Sequence, residues 1–249
     1  MTMTLMNPRP LVVLFLLLLT LSSCTKAPPL QPQPSSATTV QIYLYGEQHG
    51  VKEILDEELR IWGEHYLNEN MRHLFVEYPY YTAQLLNIWM QTESDEIIEN
   101  IYSDWQGTQA QNPNVLEFYK QIKRDYPETI FHGTDVRHQF YNTGARYLTY
   151  LRDNGLEDSE QFKLTQESIE QGEFYYESYD DEYRESKMVE NFIREFDALG
   201  GESVMGIYGA AHIDQRELDV YVGGVTCMAT QLAEHYGDVI SSTDLRFSA

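Results

Sequence analysis

The chain has 249 residues, 17 Lys and Arg against 39 Asp and Glu, and a formal charge of −22. Such a length supports one or two domains, and 42% hydrophobic with 13% aromatic residues is enough apolar material to build a core. The acidity excludes a nucleic-acid binder and electrostatic docking on anionic lipid, while two cysteines exclude a disulfide-rich scaffold or a four-thiolate zinc site.

Arg9 is the only charge ahead of an apolar run from Leu11 to Leu21. The run has the length of a signal-peptide core and is too short for a membrane span. It ends in Leu21-Ser22-Ser23-Cys24, small residues before a cysteine, as in a bacterial lipoprotein cleavage box. The expectation is a signal peptide over 1–23, cut before Cys24, whose thiol takes the lipid. The chain would then sit lipid-anchored on the extracytoplasmic face of the bacterial envelope. An ordinary secretory signal with an incidental cysteine is the alternative. Residues 24–39 carry Pro28, Pro29, Pro32 and Pro34 among Ser, Thr and Gln, a composition suited to an extended tether. Lipidation of Cys24 would leave Cys227 alone, so the domain would be stable without an intramolecular disulfide.

Residues 40–249 read as a single α/β domain. Val40–Tyr45 is a β-branched and aromatic run stopping at Gly46, a buried strand. Val51, Leu55, Leu59, Trp62 and Tyr66 follow at helical spacing. His73–Glu77 reads as a second strand, closed by Pro79. Helical pieces are expected over 83–90, 94–102 and 115–126, then a third strand over Glu128–His132. The pattern from 138 to 199 is helical, broken near Asn154-Gly155. Ser203–Tyr208 is a fourth strand, 225–236 another helix, and 238–241 a candidate final strand. Short strands alternating with helices imply an α/β fold with a largely parallel sheet and flanking helices. The long helical stretches read as an insertion or a cap.

Open α/β sheets bind ligands outside the carboxyl ends of their strands. The first strand is followed by Gly46-Glu47-Gln48-His49-Gly50, the second ends at Glu77, and the third is followed by Gly133-Thr134-Asp135-Val136-Arg137-His138. The fourth is followed by Gly209-Ala210-Ala211-His212. A G-x-x-H arrangement thus occurs twice, each time directly after an apolar strand. Glu47, His49, Glu77 and His212 are the site candidates on this placement. Asp135 reads equally as a helix cap. His65, His73 and His235 fall within helix or strand bodies and read as structural; His132, at a strand end without a counterpart, stays open. Arg184 shares a helix face with Met188 and Asn191, beside the apolar stripe of Val189, Phe192, Phe196 and Leu199. From there it can reach a pocket or pair with a surface carboxylate. G-x-S-x-G, a glycine-rich phosphate loop and an H-E-x-x-H helix are all absent. Cys227 lies in an apolar pattern and reads as core.

These features together resemble the superfamily that joins erythromycin-esterase-like proteins, ChaN-like haem-binding lipoproteins and TraB/Tiki-type proteins. The matching residues are Leu44-Tyr-Gly-Glu-Gln-His49, Phe75-Val-Glu77, Arg184 with Met188 and Asn191, and Gly206-Ile-Tyr-Gly-Ala-Ala-His212. The resemblance implies an α/β fold whose two G-x-x-H histidines and glutamates line one pocket, with Arg184 beside them. Its branches imply different chemistries: metal-free ester hydrolysis by a water-activating histidine, metal-dependent proteolysis, or haem binding. The esterases have two residues between the glutamate and histidine of the first motif where this chain has one, which sets it nearer the other branches.

Two functions follow as expectations. The first is a hydrolase of an ester or peptide substrate. In it His49 or His212 accepts a proton from water, Glu47 and Glu77 orient the histidine or the water, and Arg184 stabilises the oxyanion. In its metal-dependent form His49, His212 and Glu77 hold a divalent ion. The second is a haem- or ligand-binding lipoprotein without turnover, its axial ligand a histidine or tyrosine. The expected partners are the membrane, through the lipid on Cys24, and a small-molecule or peptide substrate.

Overall fold

The computed structural model describes residues 40–136, 139–213 and 224–247. The expected signal peptide over 1–23, the tether over 24–39 with Cys24, and Arg137 and His138 lie outside the described residues.

Five strands form one parallel sheet: β1 (Ile42–Glu47), β2 (His73–Val76), β3 (Ile130–Gly133), β4 (Val204–Gly209) and β5 (Ile240–Asp244). Their spatial order is β3-β2-β4-β1-β5. Strand β4 therefore sits between β2 and β1, with Glu47 in register with Gly209 and Val76 with Ile207. The helices are α1 (Lys52–Asn68), α2 (Tyr80–Met90), α3 (Glu96–Asp104), α4 (Pro113–Asp125), α5 (Thr143–Asp153), α6 (Glu160–Ser178), α7 (Asp181–Ala198) and α8 (Met228–Tyr236).

Side chains alternate across each strand, so every strand serves two layers. Tyr43, Tyr45, Leu74, Val76, Phe131, Met205 and Ile207 pack with α1 to α6 in one apolar cluster. Ile42, Leu44, Phe75, Val204 and Tyr208 pack with α7 and α8 in the other. The material expected as an insertion or cap thus forms the bulk of one flanking layer. The chain leaves β1 and β2 toward the first layer and leaves β4 toward the second. The carboxyl end of β4 is therefore a switch point where opposite connections open a crevice.

Helix boundaries follow local chemistry. The side chains of Asn112, Asn142, Ser159 and Asp180 each accept a backbone N–H at the start of α4, α5, α6 and α7. The stretch expected as helix from 138 to 199 breaks twice. One break falls near Asn154-Gly155; the other falls at Tyr179, whose φ of 52° ends α6 before Asp180 caps α7. The third strand starts at Ile130 rather than Glu128, because Thr129 turns back to bond the Tyr126 carbonyl and to accept from Trp62. The last strand starts two residues later than expected, since residues Gly237–Val239 form a 3-10 turn. Helix α8 starts at Met228, with the buried Cys227 as its N-cap residue.

Candidate functional site

A cavity of about 650 Å³ opens at the carboxyl edge of the sheet. Glu47, His49, Glu77, Arg184 and His212, the five residues singled out from sequence, all line it, over a floor that includes Leu55, Val76, Phe118 and Ile207.

Glu77, buried just past β2, is the hub. Its Oε2 accepts the Gly209 backbone N–H at 2.5 Å and lies 3.7 Å from His49 Nε2. Its Oε1 accepts from Arg184 Nη2 at 3.0 Å and lies 3.5 Å from His212 Nε2. Gly209 makes this convergence possible, because a Cβ there would stand 3.1 Å from both Glu77 Oε2 and His49 Nε2. Gly46 has the same role in the neighbouring strand β1, where a Cβ would meet Ile213 and the Ala210 backbone of the turn after β4.

The two histidines are held differently. His49 Nδ1 lies 2.7 Å from Glu47 Oε1. A carboxylate only accepts, so Nδ1 carries a proton toward Glu47, and Nε2 points to the Glu77 end of the cavity. His49 keeps 28% of its side chain exposed. His212 is 6% exposed and lies between two acids. Its Nδ1 is 2.5 Å from Glu185 Oε1, and the other Glu185 oxygen accepts the Met228 N–H at the head of α8 at 2.7 Å. Burial opposes a charge on His212, but the Glu77 carboxylate and the Glu185 hydrogen bond outweigh it and raise its pKa to about 9. His212 is therefore an imidazolium at neutral pH.

Arg184 reaches the cavity from α7 rather than pairing at the surface. It clasps Asp135 through Nε–Oδ1 at 2.9 Å and Nη2–Oδ2 at 3.0 Å while also bonding Glu77. Asp135 is fully buried and serves as an arginine anchor. The turn that carries it is pinned by Asn191, which donates to the Thr134 carbonyl at 3.0 Å, and by a Thr134–Tyr208 hydroxyl pair at 2.8 Å. These contacts account for Met188 and Asn191 sharing the Arg184 face: both are buried beneath the site.

The expected metal set of His49, His212 and Glu77 does not fit an ion. Its carboxylate is already held by the Arg184 guanidinium and by the Gly209 N–H. Among the described residues no group of three or more His, Cys, Asp or Glu has the geometry to hold a metal. Haem fits poorly as well. Carboxylates line the cavity and would face its propionates, and the arginine is already committed to two acids. Away from the cavity, His132 bonds His73 at 2.9 Å and Glu195 at 2.9 Å, and His65 bonds Glu69.

Two acids at the site went unread in the sequence. Glu185 follows Arg184 directly, and Glu58 lines the cavity from α1 with no exposed surface. Both carry a signal that was present. Glu58 falls on the stripe of Leu55, Leu59 and Trp62, and Glu185 on that of Met188, Val189 and Phe192. A carboxylate at a core position of a helix is costly unless something local requires it.

No family model and no protein of curated function matches this sequence. Similarity emerges among solved structures. A mutant of the erythromycin esterase EreC in its open conformation matches with a TM-score of 0.60 at 13% identity, over 82% of this chain and 69% of its own. The chain has the erythromycin-esterase fold. A succinoglycan biosynthesis protein matches with a TM-score of 0.60 at 14% identity, and a Bacillus cereus protein with 0.58 at 14%. The chain covers 65% of the length of each of these two, while they span 82% and 83% of it. At this identity the likeness concerns the shared fold.

Proposed function

We propose that the protein is a metal-independent hydrolase of an ester or peptide bond in a small extracytoplasmic substrate. The observation that carries this reading is the unequal setting of the two histidines. His49, oriented by Glu47 at 2.7 Å, offers a base; His212, charged and enclosed by Glu185 and Glu77, does not. An ordinary histidine, with a pKa near 6.5, is mostly neutral above pH 7 and accepts a proton from water. In this mechanism water held between His49 Nε2 and the substrate carbonyl gives its proton to Nε2 as its oxygen attacks. The imidazolium then shares its positive charge with Glu47. His212 and Arg184 supply two fixed positive charges toward the developing oxyanion, and Glu77 holds both in place. The esterase among the structural neighbours is consistent with such chemistry.

The remaining expectations join this proposal. Cleavage before Cys24 and lipidation of its thiol would hold the domain at the bacterial envelope, with residues 24–39 as a tether; the Leu-Ser-Ser-Cys box supports this. Mass spectrometry of the mature N-terminus checks it, and Cys24→Ser should release the protein from membranes.

The test of the activity is a panel of activated esters and short peptides. Wild-type protein should turn over a member of the panel with chelator present, and His49→Ala should not. Full activity in His49→Ala, or loss of activity on chelation, would overturn the reading. A hemin titration separates the alternative of a haem-binding lipoprotein. The expected result is no Soret shift, and a stoichiometric shift abolished by His49→Ala would favour the alternative.

A further inference from the structure

Glu58 has no role in the mechanism above, yet it is the most anomalous group at the site. It sits on the apolar stripe of α1, lines the cavity wall and has no exposed surface. Neither of its oxygens has a hydrogen-bond donor, and the same holds for Glu47 Oε2, the oxygen that does not face His49. Three buried acceptor atoms without a donor are expensive. Both residues line the same cavity, and two ionised carboxylates would have no donor to share, whereas one carboxylic acid and one carboxylate do.

We propose that Glu58 is a neutral carboxylic acid that donates its proton to Glu47 Oε2, making Glu58–Glu47–His49 a hydrogen-bonded chain in which Glu58 is a positioning residue for the base. The chain satisfies the idle oxygen of Glu47 and one of the two on Glu58. It also explains why an acid is kept on a core stripe. The surroundings agree: burial, reinforced by the Glu47 charge, holds the Glu58 carboxyl well above the usual carboxylate range. Tyr119 from α4, which lines the same cavity with His49 and Tyr78, is buried and hydrogen-bonded with Tyr78, and it too is pushed up, by burial first and then by neighbours that include Glu47 and Glu58. The buried oxygens of Glu58 keep it from meeting substrate directly.

The consequence for His49 has a definite sign. A donor on Glu47 Oε2 spreads that carboxylate's negative charge away from His49. Removing the donor concentrates the charge on the imidazole and favours its protonated form. Glu58 thereby keeps His49 neutral, and so basic, at lower pH. No proton need leave Glu58 during turnover: the proton taken from water stays on His49 Nε2 until it passes to the leaving group.

Infrared spectroscopy of the protein tests the pairing without any substrate. A neutral-carboxyl C=O stretch should be present at pH 7 and vanish in Glu58→Gln. Nuclear magnetic resonance then reads the histidine titration. Glu58→Leu should raise the His49 pKa by about half to one unit, and Glu58→Gln, whose amide still donates, should leave it near wild type. The absence of the band, or a His49 titration unmoved in Glu58→Leu, would overturn the proposal. If Glu58→Leu fails to fold, the band and its loss in Glu58→Gln still decide. Only the effect on turnover rests on the hydrolase reading, as an upward shift of the acidic limb of the pH–rate profile in Glu58→Leu. A protein that shows the band and the His49 shift but hydrolyses nothing would uphold the pairing and reject the hydrolase.

Discussion

The two G-x-x-H turns are near-copies in sequence and opposites in chemistry. After β1 the histidine is 28% exposed, with Glu47 at 2.7 Å from its Nδ1 and Glu77 at 3.7 Å from its Nε2. After β4 it is 6% exposed, with one glutamate at 2.5 Å and a second 3.5 Å from its other nitrogen. The motif itself places a ring at the carboxyl edge of a parallel sheet. What that ring then does is decided by exposure and by the acid on its Nδ1: Glu47, local in sequence, for the partly exposed His49, and Glu185 from α7 for the enclosed His212, with Glu77 past β2 near both. One site thereby holds a partly exposed ring and an enclosed, charged ring of the same residue type.

The largest expected break in this asymmetry is in the rate. His49→Ala should lower turnover about 10²–10⁴-fold while leaving the melting temperature nearly unchanged, because the side chain is partly exposed. Glu77→Ala should act chiefly on stability. It removes the partner shared by Arg184, His212 and the Gly209 N–H and leaves each buried cation with a single acid, a loss of about 3–5 kcal/mol in urea unfolding. Glu185→Gln should lower the His212 pKa from about 9 and cost about 1.5–3 kcal/mol at neutral pH. The pH dependence of wild-type stability gives the same information without mutation. The folded-state pKa of His212 is raised above its ordinary 6.5, so its contribution is complete below pH 6.5 and is lost as pH rises through about 9. A shift of that size corresponds to roughly 3 kcal/mol. The smallest effect sharpens the geometry. Gly209→Ala should push apart His49 and Glu77 and cost about 1–2 kcal/mol, with a loss of activity larger than its loss of stability.

The fold class was legible because four strands are short apolar runs, three ended by glycine and one by proline, and each is followed by helical spacing. Glu47, His49, Glu77 and His212 were legible for the same reason: they follow those strands directly. Arg184 was ambiguous because helical spacing gives a face and not a partner. Its partner, Asp135, arrives from a turn 49 residues away in the chain. Glu58 and Glu185 were missed although their positions on apolar stripes mark them. The choice of base could not be made from sequence, since the acids that charge His212 come from α7 and from beyond β2, and nothing adjacent to Gly209 announces them. The metal set turns on a related point: spacing brings His49, His212 and Glu77 together but does not show that Arg184 already holds Glu77.

The most direct test of the account is the protonation of the two histidine rings in the full chain, read by nitrogen-15 and proton resonances across pH 5 to 10. At pH 8 the account predicts a neutral His49 carrying its proton on Nδ1, and a doubly protonated His212 that loses its charge only near pH 9. A neutral His212 at pH 7, or both rings titrating together, would contradict it.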